Sequence, residues 1–404
     1  SQRLAIRRAM EFGISVISGS GGTGKTYAVS CLTTIARECE LSVTLCAPTG
    51  KAAKRLEQVT GHDAMTVHRL LGYDGHGFAL DENDSVDTDI LVLDEVSMAD
   101  VPLLYHLFRA LDLSRTAVIL VGDHNQLPPV GPGNVLRDLI HERPIPVTVL
   151  NLVVRQAGEL KENCSALLKG EVRPTSAPRG SKPREWYLAN NLKDAAAVFH
   201  TILDAFNSKL QKLGFDLLRD VQVLTPTHKG PLGTVALNAA LQHLVQRKLF
   251  GVDAKPNKYG PRFYPHDKLI QTRNDYQLGV MNGAVGFVKS VSSSGDLVVD
   301  FDGEDVEFEA GSNNIKYLKL AYVITTHKSQ GSEFPCVIAI IHKSHSFMLH
   351  RNIFYTAASR AQKTAIILGD RWGISNCAKK NLTDKRRTFM GLGEQWTQRS
   401  TNAE

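Results

Sequence analysis

The sequence is poor in the features that tie a chain together covalently or set it in a membrane. Its six cysteines (31, 39, 46, 164, 336 and 377) are scattered, with no C-x-x-C pair and no histidine at zinc spacing. That excludes a disulfide scaffold and a zinc module. Several of them fall in apolar runs, where cysteine behaves as a small hydrophobe, so a reduced, cytosolic compartment is the expectation. No apolar run reaches the ~18 residues that a membrane helix needs, and no signal-peptide pattern stands at the start. There is no solenoid period. Charge of neither sign dominates: 47 Lys and Arg against 41 Asp and Glu give a net +6, which permits a polyanionic partner without demanding one. The histidines at 342 and 345 lie close together with no further ligand type beside them and read as structural. At 404 residues the chain is long for one core, so two or three domains are expected. It runs from Ser1 straight into helical pattern, as a piece of a longer protein would.

What the sequence does have is glycine in one informative place. Gly19-Ser20-Gly21-Gly22-Thr23-Gly24-Lys25-Thr26 matches G-x-x-x-x-G-K-[ST], the phosphate-binding loop. The β-branched run Ile14 to Ser18 precedes it and a helical pattern from Tyr27 to Cys39 follows, so the loop joins a buried strand to a helix N-terminus. Glycines let backbone N–H groups crowd phosphate oxygens, and the helix end adds partial positive charge. Lys25 would reach the β/γ-phosphates and Thr26 would offer its hydroxyl to Mg²⁺. A nucleoside triphosphate with Mg²⁺ is therefore the expected ligand.

Further strands are expected at 42–46, 90–93, 117–121 and 147–150, alternating with helices; this is the pattern of a parallel sheet covered on both faces. A domain boundary is expected near residue 150. A second α/β unit shows strands at 221–224, 337–341 and 364–368, interrupted at 254–314 by short strands and turn signals that read as a small all-β barrel. Residues 72–88, rich in Gly, Asp and Asn, suit a hairpin inserted into the first sheet.

Two more stretches carry chemistry. Leu91-Val92-Leu93-Asp94-Glu95 is an apolar strand ending in paired acids; in a triphosphatase the first holds Mg²⁺ and the second polarises the attacking water. Gly122 to Pro129 places Asp123, His124, Asn125 and Gln126 directly after the next strand, where Gln126 would sense the γ-phosphate.

The ordered set resembles a superfamily 1 helicase, and within it the RecD-like branch with 5′→3′ polarity. The matching stretches are 19–26, Ala47 to Ala53, Thr66 to Gly72, Asp94 to Met98, Gly122 to Pro129, Val154 to Ala157, Thr225 to Gly233, Gln271 to Tyr276, Thr326 to Glu333 and Tyr355 to Ala361. The resemblance implies an α/β fold of two RecA-like P-loop NTPase domains. The first spans 1–150 with a pin insertion (1B) at 72–88, and the second 151–253 plus 315–390 with an SH3-like barrel (2B) at 254–314; a tail covers 391–404. It implies that Gln2 reads the adenine edge and that Gly331 and Glu333 join the loop residues in nucleotide binding. Arg155 and Arg360 would be arginine fingers, bringing positive charge to the transferred phosphoryl group. For DNA it points to Pro48, Thr49, Lys51, Thr66, His68, His124, Thr326, His327 and Lys328. Polar groups and a few cations of this kind position a strand without reading its sequence, and rings at 68, 124, 263 and 276 are candidates for base stacking.

The expected activity is thus an ATP-dependent 5′→3′ DNA helicase or translocase, a monomer acting on single-stranded and tailed duplex DNA. The alternatives are a motor module of a larger recombination, repair or conjugation assembly, and a nucleotide-gated binding switch.

Overall fold

A computed structural model describes residues 2–142, 145–151, 158–176, 183–254 and 262–382. The chain divides between residues 155 and 156 into two units, taken in turn below.

Unit 1 contains α1 (Gln2–Glu11), β1 (Ile14–Gly19), α2 (Lys25–Glu38), β2 (Val43–Ala47), α3 (Gly50–Thr60), β3 (Ala64–Thr66) and α4 (Val67–Leu70). It continues with β4 (Ile90–Leu93), α5 (Val101–Arg109), β5 (Ala117–Gly122), α6 (Val135–Glu142) and β6 (Val147–Leu150). Its six strands form one sheet in the order β3-β2-β4-β5-β1-β6, with every pairing parallel.

Consecutive strand residues point to opposite faces, and here both faces are apolar. In β5, Val118 and Leu120 join one core with Leu104, Leu107 and Leu136 of α5 and α6. Ile119 and Val121 join the other, with Ala5, Val29, Leu32 and Leu56 of α1, α2 and α3. This explains why the strands read as unbroken apolar runs. Helix starts are set by side-chain caps: Thr49 accepts from the Ala52 N–H, Thr66 from Arg69 and Asp100 from Leu103, each satisfying an N–H that has no helical partner.

The expected hairpin at 72–88 forms no strands. Asp74 draws the chain into a turn by accepting from the His76 and Gly77 N–H groups at 2.8 and 2.9 Å. The Ala79 and Leu80 N–H groups both return to the Leu71 carbonyl. With its backbone and acids turned on themselves the segment has no free row of groups for a ladder. It is an irregular loop, held to α5 by Phe78 against His106 and by Glu82 against Arg109.

Unit 2 contains α7 (Glu159–Leu168), β7 (Trp186–Ala189), α8 (Ala195–Asp204), β8 (Val221–Thr225) and α9 (Thr234–Phe250). After the insertion strands β9 (Lys268–Gln271), β10 (Val285–Val291), β11 (Leu297–Phe301), β12 (Glu304–Phe308) and β13 (Leu318–Leu320) come β14 (Val323–Thr325), β15 (Phe334–Ile341), α10 (Arg351–Ser359), β16 (Ala361–Gly369) and α11 (Arg371–Lys379). The main sheet runs β14-β8-β15-β16-β7, again all parallel.

The insertion is an antiparallel sheet in the order β12-β11-β10-β9-β13 with a core of its own around Leu269, Val288, Val299, Phe301, Phe308 and Leu318. It extends beyond the expected end at 314, because β13 returns to pair with β9, Leu318 opposite Gln271. Asp267, fully buried at the start of β9, ties the insertion to α9. It accepts from Gln246 at 2.8 Å and Gln242 at 2.5 Å, and from the Tyr322 hydroxyl at 2.8 Å. Among the described residues, no helix is long and apolar enough to cross a membrane.

Candidate nucleotide site and nucleic-acid interface

Both main sheets carry their polar motifs at the carboxyl ends of the strands, where open parallel sheets bind ligands. In unit 1, Gly19 ends β1, residues 20–24 form the loop, and Lys25 and Thr26 open α2. Gly22 and Gly24 take φ of 76° and 81°, a left-handed backbone that glycine adopts without steric cost. The N-terminus of α2 has no side-chain cap, so its end is available to an anion. The Lys25 ammonium donates to the Gly19 and Ser20 carbonyls at 2.7 and 3.2 Å, and Thr23 donates to Ser20 at 2.9 Å. Gln2 is beside the loop, its amide donating to the Thr23 and Gly24 carbonyls at 3.3 and 3.4 Å. The structure thus brings Gln2 together with residues 19–26.

At the end of β4, Asp94 is buried and its carboxyl accepts from the Glu95 N–H at 2.8 Å. Burial, reinforced by the charge of Glu95, pushes its pKa up to about 6. Glu95 holds φ at 52°, a left-handed conformation uncommon for a side chain of this kind. Its Oε2 is buried with no hydrogen-bond partner. A strained residue with an orphaned carboxylate oxygen is characteristic of a site shaped for something other than folding.

One strand further along the sheet, Asp123 accepts from the Asn125 N–H at 3.0 Å and from the Gln126 amide at 3.3 Å. This holds Gln126 buried at the same edge. His124 bonds Ser18 of β1 at 2.8 Å, and Lys25 is among the charges that act on it. Burial and that cation lower its pKa. Its Nδ1 is thereby tied to β1 on the phosphate-loop side, and the ring is partly buried. Among the described residues, no group of three or more His, Cys, Asp or Glu could hold a metal. Thr26 and Asp94 offer instead a hydroxyl and a carboxylate, a sparse hard-oxygen pair that suits Mg²⁺, which keeps most of its waters.

A second group in unit 1 collects at the ends of β2 and β3, where Ala47 pairs with Thr66. This puts Pro48, Thr49 and Lys51 beside Thr66 and His68. Thr49 and Thr66 are both helix caps. His68 is partly buried against Tyr73 and Phe78, with ring centroids at 5.4 and 5.8 Å, and burial lowers its pKa.

In unit 2, Thr326, His327 and Lys328 follow the end of β14 in a 3-10 turn. Gly331 takes φ of 73° and opens the approach to β15, while Glu333 accepts from Gln362 at 3.4 Å. Arg360 lies against this segment: it is buried, and its guanidinium donates to the Ser332 carbonyl at 3.2 Å and the Ser359 hydroxyl at 3.4 Å. Its Nε has no partner, and neither acceptor is a carboxylate. Arg155 lies outside the described residues. Tyr276 is 56% exposed, whereas Phe263 is buried in the core of the insertion and is unavailable for stacking. Asp123, already singled out in the stretch after the strand, supports the site by holding Gln126, whereas the role of Ser18 appears only through His124 and nothing in its spacing marks it.

Comparison with known proteins bears on the fold and the family. Residues 2–132 match the AAA domain model, 237–301 the SH3 domain of ATP-dependent RecD-like DNA helicases, and 320–368 the UvrD-like helicase C-terminal domain. The ATP-dependent RecD2 DNA helicase of Deinococcus radiodurans is 38% identical over 349 residues, which is 86% of this chain and 46% of that protein. The RecD subunit of the RecBCD enzyme of Mycolicibacterium smegmatis is 28% identical over 410 residues, covering 91% of this chain and 70% of that one. The chain therefore spans about half of the first relative's length. In fold it is similar to the crystal structure of Bacteroides Pif1 helicase in complex with ADP-AlF3 and ssDNA, with a TM-score of 0.57 at 17% identity over 99% of this chain and 97% of that one.

Proposed function

We propose that this chain, which belongs to the RecD-like family of superfamily 1 helicases, is an ATP-hydrolysing motor that steps 5′→3′ along single-stranded DNA and opens tailed duplexes. The observation that carries this reading is Glu95. A binding switch needs a nucleotide loop, but not an acid held in a strained backbone with a buried oxygen left unpartnered beside it. In the proposed role Glu95 accepts the proton of the attacking water, and Gln126, held by Asp123, reports the γ-phosphate.

Thr26 and Asp94 would hold Mg²⁺, which supplies charge neutralisation on the phosphates. Lys25 exchanges its two loop carbonyls for phosphate oxygens. Arg155 and Arg360 act as arginine fingers. Support for Arg360 lies in its buried guanidinium, which has an unpartnered Nε and no carboxylate among its hydrogen-bond acceptors. Gln2 in unit 1 and Gly331 and Glu333 in unit 2 are further proposed nucleotide contacts.

Pro48, Thr49, Lys51, Thr66, His68 and His124 in unit 1, and Thr326, His327 and Lys328 in unit 2, are the proposed DNA contacts. The chain is proposed to work as a monomer in the cytoplasm. That the RecD relatives are named as subunits of RecBCD enzymes favours a second reading, a motor within a larger recombination or repair assembly.

The test compares duplexes carrying a 5′ or a 3′ single-stranded tail, with ATPase followed in parallel. Unwinding of the 5′-tailed duplex, with ATPase stimulated more than tenfold by single-stranded DNA, is the expected result. DNA-independent ATPase with both duplexes left closed would remove the motor reading. DNA-stimulated ATPase without unwinding favours the module within an assembly.

A further inference from the structure

Two loops in unit 2 leave neighbouring parallel strands and carry a group of cations to one edge of the sheet. β8 and β14 pair with Val223 opposite Val323 and Thr225 opposite Thr325. The Thr326 N–H extends that ladder to the Thr225 carbonyl at 3.0 Å. His228 and Lys328 stand equally far beyond the paired threonines, and His327 precedes Lys328. The frame beneath them is firmly held. Asn238 of α9 clasps Val323 through both its amide groups, at 2.8 and 2.9 Å. The Thr225 hydroxyl donates to Leu232 at 2.7 Å, and Ser329 donates to Thr326 at 2.7 Å. His228 Nδ1 is 3.0 Å from the Thr234 hydroxyl in the first turn of α9.

Among the described residues, no acid is among the groups that shift His228, His327 or Lys328. His228 feels burial and the charge of Lys328, His327 feels burial and His228, and Lys328 feels burial and Lys319 of β13. The first turn of α9 and the 3-10 turn that carries His327 and Lys328 contain no acidic residue. Both imidazoles are thereby held below the ordinary histidine value, and the Lys328 ammonium below that of a free lysine. Like charges gathered without a counterion oppose folding, and a polyanion relieves them.

We propose that His228, His327, Lys328 and Lys319 form one phosphate-binding cluster for the single strand, and that its grip is proton-linked. The proposal rests on the DNA-motor reading above and adds His228 and Lys319 to it. A bound phosphate supplies the counter-charge that burial and the neighbouring cation deny the imidazoles, so they take up protons as the strand binds. The sign follows from linkage. Between the lowered pKa of the free chain and the higher one of the complex, binding consumes protons, and affinity falls as pH rises. The limit is about tenfold per pH unit for each histidine protonated.

The test is fluorescence anisotropy of the full chain with a labelled polythymidylate, whose base does not titrate in this range, without nucleotide. Affinity is expected to weaken roughly 10- to 100-fold from about pH 6 to about pH 8 at fixed salt. His228→Gln combined with His327→Gln should flatten this to within about threefold, the remainder reporting other histidines such as His68. In the parent chain the log–log salt slope should be steeper near pH 6 than near pH 8 by about 0.7 per histidine protonated. Lys319→Gln and Lys328→Gln should each lower that slope by about 0.7 at both pH values.

An identical pH dependence in the parent and the double glutamine variant overturns the proposal. If that variant does not fold, imidazole titration of the parent chain by NMR decides, and no upward shift on adding the oligonucleotide overturns it. Binding that is tight but independent of pH removes this inference alone. No binding at any pH removes the motor reading as well.

Discussion

Replacing Asp94 by Asn should make unit 1 more stable while ending its proposed ATPase activity. Asp94 is 8% exposed at the end of β4, and its ionised form is opposed first by burial and then by Glu95. The Glu95 N–H, Lys25 and Arg55 only partly compensate. Its folded pKa, about 6, lies above the roughly 3.9 of an unfolded aspartate. Between those values the folded chain holds more protons than the unfolded chain, so stability is lost as pH rises through that window and stays lost above it. The raised pKa converts to about 3 kcal/mol at neutral pH. Coupling to Glu95 spreads this over the pair, and roughly 1–3 kcal/mol is the expected gain for Asp94→Asn.

The assay is hydrogen exchange of peptides covering β4 and β5, without nucleotide or metal, at about pH 5 and about pH 7.5. For amides that exchange by opening of the whole unit, protection in the variant should exceed that of the parent by roughly 5- to 150-fold at the higher pH. The margin should narrow toward pH 5. Equal or lower protection in the variant at pH 7.5 would show that Lys25 and Arg55 fully compensate the buried carboxylate, and would refute the reasoning.

Other substitutions separate the proposed roles. Glu95→Gln should lower kcat by about 10²- to 10⁴-fold, the span of general-base catalysis, with ATP affinity measured by calorimetry kept within a few-fold; retained turnover would reject the base assignment. Arg360→Ala should lower kcat by roughly 10³- to 10⁵-fold in single-turnover ATPase, and Arg360→Lys should recover little because a point charge cannot replace the planar fork. Asp267→Ala should destabilise unit 2 by about 2–4 kcal/mol, since the buried Tyr322 hydroxyl loses its acceptor and the Gln242 and Gln246 amides each lose one of two. The loss should be seen first as faster exchange across β9 to β13.

The parallel strands were legible because burial on both faces makes them continuous apolar runs, and the phosphate loop because its chemistry is local in sequence. β3 and β14 were not, each being three residues long, too short for periodicity to register. β7 was hidden for another reason: Trp186 and its neighbours follow an irregular stretch and join only the sheet edge, beside β16. The insertion's last strand escaped because a 3-10 turn at Asn314–Tyr317 intervenes before Leu318. The 72–88 segment misled in the opposite direction. Its glycines and acids are turn formers in a hairpin too, and only side chains returning to their own backbone, as Asp74 does, exclude a ladder. At the site, spacing located Asp94, Glu95 and Gln126. The partnership of His124 with Ser18 across 106 positions needed the β1–β5 pairing before it could be seen.

The two units concentrate their unfavourable features in corresponding places, and this bears on how a ligand would act. In unit 1 they are the left-handed Glu95 with its orphaned oxygen, the buried and destabilised Asp94, and Lys25 hydrogen-bonded to two loop carbonyls. In unit 2 they are the partly satisfied Arg360 and the acid-free group of His228, His327 and Lys328. All lie at or just beyond strand or helix ends at the edges of sheets that are otherwise closely buried, so the surrounding core can hold them in place. A triphosphate with its metal would neutralise the first set, and a nucleic-acid backbone the cations of the second. If each ligand relieves stored repulsion in the element that holds it, then nucleotide and strand each stabilise a particular local geometry of a rigid sheet edge. Hydrolysis withdraws one of those stabilisations while the other remains. On the proposed function, a motor built this way would change its hold on the strand with each turnover because its charges are poorly satisfied without a ligand, which is why stabilising substitutions such as Asp94→Asn should be the ones that stop it.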